Sequence, residues 1–359
     1  MTEISTLLHQ FIEANARKVP NAFEQFLDKE INIGKGMRSL ASTSQNALRE
    51  FLATEHSRDS SFPRVLSLVD SDFLGGSFAR HTKIWPLDDI DVYLPLDGCD
   101  LFYLRYGQRL PYTVLSDGVL TGNPLLLQRW MEGIYISPRK IINEFAAALR
   151  RHYPKETAVY PDGEAVAVRM SQGSSGSGDG LGYDVVPCFS LKPDDTNELA
   201  FYLIPDGSNG WIHTNPKVDT MIADTLHRNN DETYRKVVKL LKYWNATKLS
   251  GAIASYYIEL AVAKVYREKN SKAERVTPLS FGVALGLWAL GEALKKGTQL
   301  PWITGAPVVE SGAIDAFGRI MLQSAVSESH LAWDLERAGK SFEAVQAWKK
   351  VFGSSFGTE

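Results

Sequence analysis

The sequence predicts an α+β protein in which a small mixed sheet with flanking helices is followed by a C-terminal helical domain. Strand-like segments lie between residues 73 and 204, whereas apolar side chains recur at helical spacing from residue 215 onward. Strands and helices do not alternate along the whole chain, which excludes a doubly wound α/β fold. A length of 359 residues suits two structural units, and the change of pattern divides them into residues 1–210 and 211–359.

Helices and strands alternate irregularly in the first of these units. A first helix ends at Pro20, and a second covers about residues 21–54 with a break near Gly34. A third helical segment is predicted from Asn123 to Tyr153, interrupted at Ser137. The predicted strands are Ile90–Leu94, Ala165–Met170, Tyr183–Phe189 and Ala200–Ile204, with a short apolar run at Phe73–Leu74 and a glycine- and serine-rich hairpin loop at Ser171–Gly180.

The second unit is predicted to be almost entirely helical. Two apolar stripes follow helical spacing, and the last long helix covers about residues 313–340, after a loop between Pro301 and Pro307. The stripes consist of Val237, Leu240, Leu241 and Trp244, and of Tyr257, Leu260, Ala261 and Val265.

Composition excludes several classes of protein. The chain has 39 Lys and Arg against 42 Asp and Glu, a net charge of −3, which argues against wrapping of a nucleic-acid backbone. The two cysteines, Cys99 and Cys188, indicate neither a disulfide framework nor a zinc site. The N-terminus lacks the apolar stretch of a signal peptide, and Phe281–Leu294 is too short to span a bilayer. We therefore expect a soluble, cytoplasmic protein that does not bind membranes.

One constellation of residues points to chemistry. Gly75, Gly76 and Ser77 are followed, after eleven residues, by Asp89-Ile90-Asp91. In a strand, residues two apart share a face, so the two carboxylates should project together and repel each other unless a cation lies between them. Oxygen-only ligands suit Mg²⁺, with Mn²⁺ as an alternative. Asp184 is a third candidate, because an isolated acid in an apolar strand is costly to bury without a partner or a metal.

Each part of this constellation has an ordinary structural explanation. A Gly-Gly-Ser sequence is usually only a turn, Asp-x-Asp is more often a surface pair than a metal site, and a lone strand aspartate commonly caps a strand or lies at its edge. The order of the three parts is what favours a functional site.

In that order the sequence resembles the polymerase-β-like nucleotidyltransferase superfamily, whose pattern is GS, a spacer, hDhDh and a later hDh, where h is apolar. Here the elements read GGSFARHTKIWPLDDIDVYL and GYDVVPCF, with Asp88 departing from the pattern. The resemblance implies a two-lobed fold and a catalytic metal triad of Asp89, Asp91 and Asp184. It also implies that Gly76 and Ser77 contact the donor triphosphate, and that Asp184 helps to deprotonate the acceptor hydroxyl.

The helical part narrows the resemblance. Lys242-Tyr243-Trp244, followed by Ser255-Tyr256 and Glu259, is similar to the branch containing oligoadenylate synthases, cyclic GMP-AMP synthase and the bacterial cGAS/DncV-like nucleotidyltransferases. In that branch Lys242 and Ser255 would contact phosphates and Tyr256 would stack on a base. Lys242 lies off its helix's apolar stripe, so we expect it to extend toward the nucleotide cleft that the helical domain closes. The ordinary alternatives are a solvated lysine, a serine at a helix start and a core tyrosine.

Two further segments, Trp211–Pro216 and Trp348–Gly353, resemble the bacterial branch. This branch implies a cyclic di- or trinucleotide made from nucleoside triphosphates, with ATP as the expected substrate and GTP as an alternative, in anti-phage defence. Neither zinc-ribbon cysteines nor a basic surface run is present, so no activating nucleic acid is implied. A regulatory protein, or one that modifies the C-terminus, encoded nearby, would fit the branch.

Two other functions remain open on sequence grounds. One is a template-independent synthase of linear oligoadenylate or an RNA-tailing enzyme, which would use the same triad. The other is a catalytically silent nucleotide-binding partner protein. Base choice, linkage and ring size are not predicted by motif spacing.

Overall fold

The computed structural model divides the chain into two compact units. The sheet unit comprises residues 34–80 and 86–220, and the helical unit comprises the described residues up to Ile33, residues 81–85 and the described residues from 221 onward. The residues that the structure describes are 18–66, 73–98, 101–105, 112–115, 129–133, 135–170, 180–191, 201–295, 300–301, 307–308 and 314–358.

The sheet unit is built on one mixed sheet. The strands are β1 (Phe73–Leu74), β2 (Ile90–Pro95), β3 (Phe102–Arg105), β4 (Tyr112–Leu115), β5 (Met131–Glu132), β6 (Tyr135–Ile136), β7 (Ala158–Asp162), β8 (Ala165–Arg169), β9 (Gly182–Ser190), β10 (Tyr202–Pro205) and β11 (Trp211–Thr214). Their order in the sheet is β1-β2-β9-β10-β11-β4-β6-β5, with β3 paired to β4, β8 to β9 and β7 to β8. Strands β2 and β9 are parallel, and the other described pairs of this sheet are antiparallel.

Helices pack against this sheet through apolar faces. Helix α4 buries Ile141, Phe145 and Leu149 at helical spacing, and Phe145 lies 4.7 Å from Phe62 between ring centroids. The helices that begin in this unit are α2 (Lys35–Arg58), α3 (Gly76–Ala79), α4 (Pro138–His152) and α5 (Pro216–Asn229), the last of which continues into the helical unit.

The helical unit has a core formed by helices whose apolar stripes match the predicted ones. Val237, Leu241 and Val262 are fully buried there, and Ile84 of the segment 81–85 packs against the same core. Its elements are α1 (described over residues 18–26 and continued by the π-helical turn Leu27–Ile31), α6 (Thr233–Lys248), α7 (Ser255–Asn270), α8 (Leu279–Lys295), β12 (Leu300–Pro301), β13 (Pro307–Val308), α9 (Ala316–Arg337) and α10 (Ser341–Phe352).

An aromatic cluster explains why the N-terminal helix belongs to the helical unit. The Phe23 ring lies 5.0 Å from Trp348 and 4.8 Å from Phe356, both edge to face, and Phe26 lies 5.3 Å from Phe356. The side chains of Phe23, Trp348 and Phe356 are completely buried. Burial of rings this large supplies much of the free energy that holds α1 in the helical core.

The structure corrects the predicted division of the chain. The boundary was placed at residues 210 and 211, but β11 pairs with β10 and so extends the sheet unit, whose last residue is Thr220. The prediction also placed the N-terminal helices in the first unit, with the sheet. The described N-terminal residues up to Ile33 belong to the helical unit instead, because their apolar side chains pack with α10.

The remaining local predictions are partly contradicted and partly outside the described residues. The part of the Asn123–Tyr153 segment that precedes Ser137 is not helical where it is described, since β5 and β6 form a short antiparallel pair there. The predicted first helix up to residue 17, Cys99 and residues 171–179 of the predicted hairpin loop lie outside the described residues. Among the described residues, no helix is both long and apolar enough to cross a bilayer.

Candidate active site

Asp91 and Asp184 lie side by side on the two parallel strands of the sheet unit. They are direct partners in the register of β2 and β9, and partners on neighbouring strands project from the same face of a sheet. The flanking residues Ile90, Val92 and Val185 are completely buried, whereas both aspartates are half-buried. The alternation predicted from the sequence therefore directs both carboxylates to the less buried face.

Asp89 lies just outside the strand, because β2 begins at Ile90, and its side chain is exposed. The negative charge of Asp89 nevertheless acts on Asp184. Burial raises the pKa of Asp184, the hydrogen bond and charge of Arg169 lower it, and the negative charges of Asp89 and Asp162 raise it further. Asp89 is thus near enough to Asp184 for their carboxylates to repel each other, and a bound cation would relieve that repulsion.

The glycine-serine turn contacts Asp91 through its backbone. The Gly75 amide donates to the Asp91 carbonyl at 3.1 Å, and Gly76 has a φ of +59°. A Cβ at Gly76 would overlap the Asp91 carboxylate, and one at Gly75 would overlap the Tyr93 ring. Ser77 follows in the four-residue helix α3 and is half-buried. Only glycine allows this turn to lie directly against the carboxylate.

Arg169, on β8, is a site residue that sequence reasoning missed. Its guanidinium donates to Asp184 Oδ1 at 2.8 Å and to the Tyr183 carbonyl at 2.9 Å. No sequence motif indicates a role for this arginine, because its partner Asp184 lies fifteen residues away on another strand.

Gly182 was missed as well. Its amide donates to the Leu87 carbonyl at 2.8 Å, and a Cβ there would overlap the backbone of Asp88. The loop that carries Asp89 is therefore pressed against the start of β9. A glycine directly before an apolar strand is the one signal that could have indicated this close approach.

The residues fit a hard divalent cation in their chemistry. Asp91 and Asp184 offer carboxylate oxygens on one face, and the backbone of Gly76 leaves the Asp91 carboxylate no room to turn toward the glycine. Within the described part of the chain, however, no three His, Cys, Asp or Glu side chains are grouped closely enough to hold a metal ion. Asp184 is paired with Arg169 at 2.8 Å.

In the helical unit, Lys242 is buried and paired with a carboxylate, which contradicts the ordinary alternative of a solvated lysine. Its Nζ lies 2.6 Å from Glu259 Oε1, and both side chains are 4% exposed. Helical spacing places Lys242 off the stripe of its own helix α6, but α7 covers that side and supplies the carboxylate. Glu259 is part of the motif recognised in the sequence, although no role was assigned to it.

Ser255 and Tyr256 begin α7 in the same unit. Ser255 is exposed, and Tyr256 is half-buried against the helical core. The buried amide of Asn245 fixes the preceding loop, since it donates to the Ile253 carbonyl at 2.8 Å and accepts from the Ile253 amide at 3.1 Å. Of the predicted site residues, Gly76, Ser77, Asp89, Asp91 and Asp184 belong to the sheet unit, whereas Lys242, Ser255 and Tyr256 belong to the helical unit.

Comparison with known proteins was made by sequence and by structure. No family model matches the chain. A probable cyclic nucleotide synthase of Bacillus cereus (strain VD146) is 25% identical over 344 residues, which cover 94% of this chain and 97% of that protein. The cyclic AMP-AMP-AMP synthase of Acinetobacter sp. (strain ATCC 27244 / 9458) is 25% identical over 183 residues, covering 48% of this chain and 50% of that one.

Solved structures of the E. coli MS115-1 protein CdnC have the same fold. The structure with ATP gives a TM-score of 0.57 at 19% identity and covers 94% of this chain and 98% of that chain. The complex with HORMA-deltaN gives 0.59 at 20% identity and covers 94% and 97%. The predicted α+β nucleotidyltransferase fold is therefore confirmed, as is the resemblance to the bacterial cGAS/DncV-like nucleotidyltransferases.

Proposed function

We propose that this chain is a nucleotidyltransferase that joins nucleoside triphosphates into a cyclic di- or trinucleotide and releases pyrophosphate. The observation that carries the proposal is the register of Asp91 and Asp184, two carboxylates on one face beside the backbone of Gly76. The relatives named as cyclic nucleotide synthases support this assignment.

In the proposed reaction, a ribose hydroxyl of the acceptor attacks the α-phosphorus of the donor triphosphate, and pyrophosphate leaves. Asp89, Asp91 and Asp184 would hold Mg²⁺ or Mn²⁺, which supplies charge neutralisation of the phosphates and acidifies the attacking hydroxyl. Asp184 would help to deprotonate the acceptor hydroxyl, the role that the resemblance implies for it, from its place beside Asp91. The amides of Gly76 and Ser77 would contact the triphosphate.

Residues of the helical unit are also proposed to contact nucleotide. Ser255, exposed at the first residue of α7, is suited to a phosphate contact, and the half-buried ring of Tyr256 offers a flat face for a base. For Lys242 to contact phosphate, its side chain would have to leave the buried pair with Glu259.

The name of the Acinetobacter relative favours ATP as substrate and an adenine-containing product, with GTP as the second candidate. The complex of CdnC with HORMA-deltaN favours a protein partner for this chain. We propose that this partner is regulatory and encoded nearby. We propose that the product acts as a second messenger in anti-phage defence, in the cytoplasm where nucleoside triphosphates are available.

The test is incubation of the purified chain, with and without its candidate partner protein, with labelled triphosphates and Mg²⁺. Mass spectrometry should show a product that resists phosphatase, and the Asp89→Asn/Asp91→Asn double variant should make none. A phosphatase-sensitive ladder would instead indicate the linear synthase. Absence of any product under all conditions, or product formation that the double variant leaves unchanged, would count against the enzyme and favour a silent nucleotide-binding partner.

A further inference from the structure

Arg169 makes a two-pronged contact beside the candidate metal ligands. One guanidinium nitrogen, Nη2, donates to Asp184 Oδ1 at 2.8 Å, and the other, Nη1, donates to the carbonyl of Tyr183 at 2.9 Å. Both acceptors belong to consecutive residues of β9, so the planar fork fixes the Asp184 carboxylate relative to its own backbone. The Arg169 and Asp184 side chains are 29% and 21% exposed, so solvent weakens this contact only in part.

The strand register explains why the fork fits there. Arg169 is the direct partner of Gly182 in the antiparallel pair of β8 and β9, and Asp184 is the partner of Ala167. Residues 182 and 184 share a face, and glycine has no side chain to occupy the space beside Asp184. The guanidinium therefore reaches diagonally across a gap that Gly182 leaves open.

We propose that Arg169 is a positioning residue that holds Asp184 in the orientation needed to bind the divalent cation, an inference that rests on the proposed function. Arg169 engages Oδ1 of Asp184, which leaves the other carboxylate oxygen available to a cation. Arg169 itself contacts neither nucleotide nor metal. Its charge repels a cation, but the loss of orientation on its removal outweighs the relief of that repulsion.

The test measures binding of Mn²⁺ to the full chain by electron paramagnetic resonance, without turnover. Arg169→Gln removes the fork and the charge, whereas Arg169→Lys keeps the charge and loses only the fork. We expect about tenfold weaker Mn²⁺ binding for Arg169→Gln, in line with other residues that orient metal ligands, and an intermediate loss for Arg169→Lys. Arg150→Gln is the matched control, because Arg150 also donates to a strand carbonyl, that of Val159 at 2.9 Å.

Steady-state kinetics give a second readout. The Mg²⁺ concentration for half-maximal rate should rise in both Arg169 variants, while the rate at saturating Mg²⁺ recovers to within a few-fold of wild type. Tighter Mn²⁺ binding by Arg169→Gln would show that Arg169 competes with the cation and would overturn the proposal. Unchanged binding in both variants would overturn it too, and would leave Arg169 a purely structural role.

Failure of this inference can be told apart from failure of the proposed function. If the wild-type chain makes product and both Arg169 variants bind Mn²⁺ normally, only the positioning role is wrong. If the wild-type chain neither binds Mn²⁺ nor makes product, the enzyme assignment is wrong, and the positioning role with it. Circular dichroism of each variant, with Arg169→Lys as the milder change, shows that the comparison is made on folded protein.

Discussion

Lys242 and Glu259 form a buried ion pair, with Nζ 2.6 Å from Oε1 and both side chains 4% exposed. The pair joins α6 to α7 close to Ser255 and Tyr256. Each of these buried charges is stabilised by the other, because removal of one partner would leave the other charge uncompensated in a low-dielectric interior. The pair therefore holds the Lys242 side chain in one position and links α6 to α7.

We expect either single change, Lys242→Met or Glu259→Gln, to lower the free energy of unfolding by about 3 kcal/mol, since each leaves one charge buried without its partner. The double change Lys242→Met/Glu259→Leu should recover most of that loss. Urea unfolding measures both effects. Lys350→Met is the control, because the Lys350–Glu328 pair at 3.1 Å is 62% and 24% exposed and should contribute at most about 1 kcal/mol.

Activity separates the two roles of this lysine. The stable double variant should still show a raised KM for the triphosphate if Lys242 contacts phosphate. A double variant with wild-type KM would leave Lys242 a structural residue only.

Gly76→Ala should abolish nucleotidyl transfer, with a fall of at least about 100-fold in kcat/KM, because the new methyl would displace the Asp91 carboxylate. Gly163→Ala is a close control. Gly163 has a φ of +56°, similar to the +59° of Gly76, but a Cβ there meets nothing within 4 Å. Both variants carry the same backbone strain, so comparable losses of activity would mean that strain, and not the contact with Asp91, is responsible.

Asp91→Asn should uncouple activity from stability. Without a cation, removal of one of two aligned carboxylates relieves repulsion, so we expect the Tm of the metal-free variant to rise by roughly 1–3 °C. Millimolar Mg²⁺ should raise the Tm of wild type and not that of the variant. Differential scanning calorimetry measures both, with Asp97→Asn as an aspartate control whose partner is Arg64. An equal Mg²⁺ response in Asp91→Asn would argue against Asp91 as a ligand.

His227 should make the stability of the helical unit depend on pH. Burial, followed by the charge of Arg235, lowers the pKa of His227 from 6.5 to about 4. Its Nδ1 accepts a hydrogen bond from the Arg235 amide at 3.4 Å, which requires the neutral ring. Because the folded pKa lies below the unfolded value, this contribution is complete above pH 6.5 and is lost as the pH falls toward 4.

The expected size is about 1 kcal/mol between pH 7 and pH 4.5, a figure reduced for the solvent that reaches the half-buried ring. Urea unfolding of wild type and His227→Gln at the two pH values tests it. The difference in unfolding free energy between the proteins should shrink as the pH falls. A constant difference would show that His227 has the same pKa in the folded and the unfolded chain.

The sequence predicted which face of its strand each of Asp91 and Asp184 occupies, but not the residues that surround them. Strand periodicity decides which side of β2 carries Asp91 and which side of β9 carries Asp184, because that pattern is local. The partners of these residues are not local. Arg169 reaches Asp184 through strand register, and Glu259 reaches Lys242 from a separate helix seventeen residues along the chain. Spacing within one element carries no information about either contact.

The errors in the fold have the same origin. Residues 131–136 are too short a run for apolar spacing to distinguish helical turns from the short strands β5 and β6, so pairing across the sheet decides. The unit boundary was misplaced because β11 and the N-terminal helix are assigned by what they pack against. In the sequence, Phe23 is one apolar residue of a helix, and only the fold shows that it packs against Trp348 and Phe356.

The close approach of Gly182 to the backbone of Asp88 has a consequence for recognising such chains. Main-chain hydrogen bonding and the absence of a side chain at Gly182 align the acidic loop with β9. Most neighbouring residues can then be exchanged for others of similar polarity while the aspartates stay in place. Divergent sequences can thereby keep one arrangement of carboxylates, so distant kinship in this group is easier to detect by superposing backbones than by matching residue profiles.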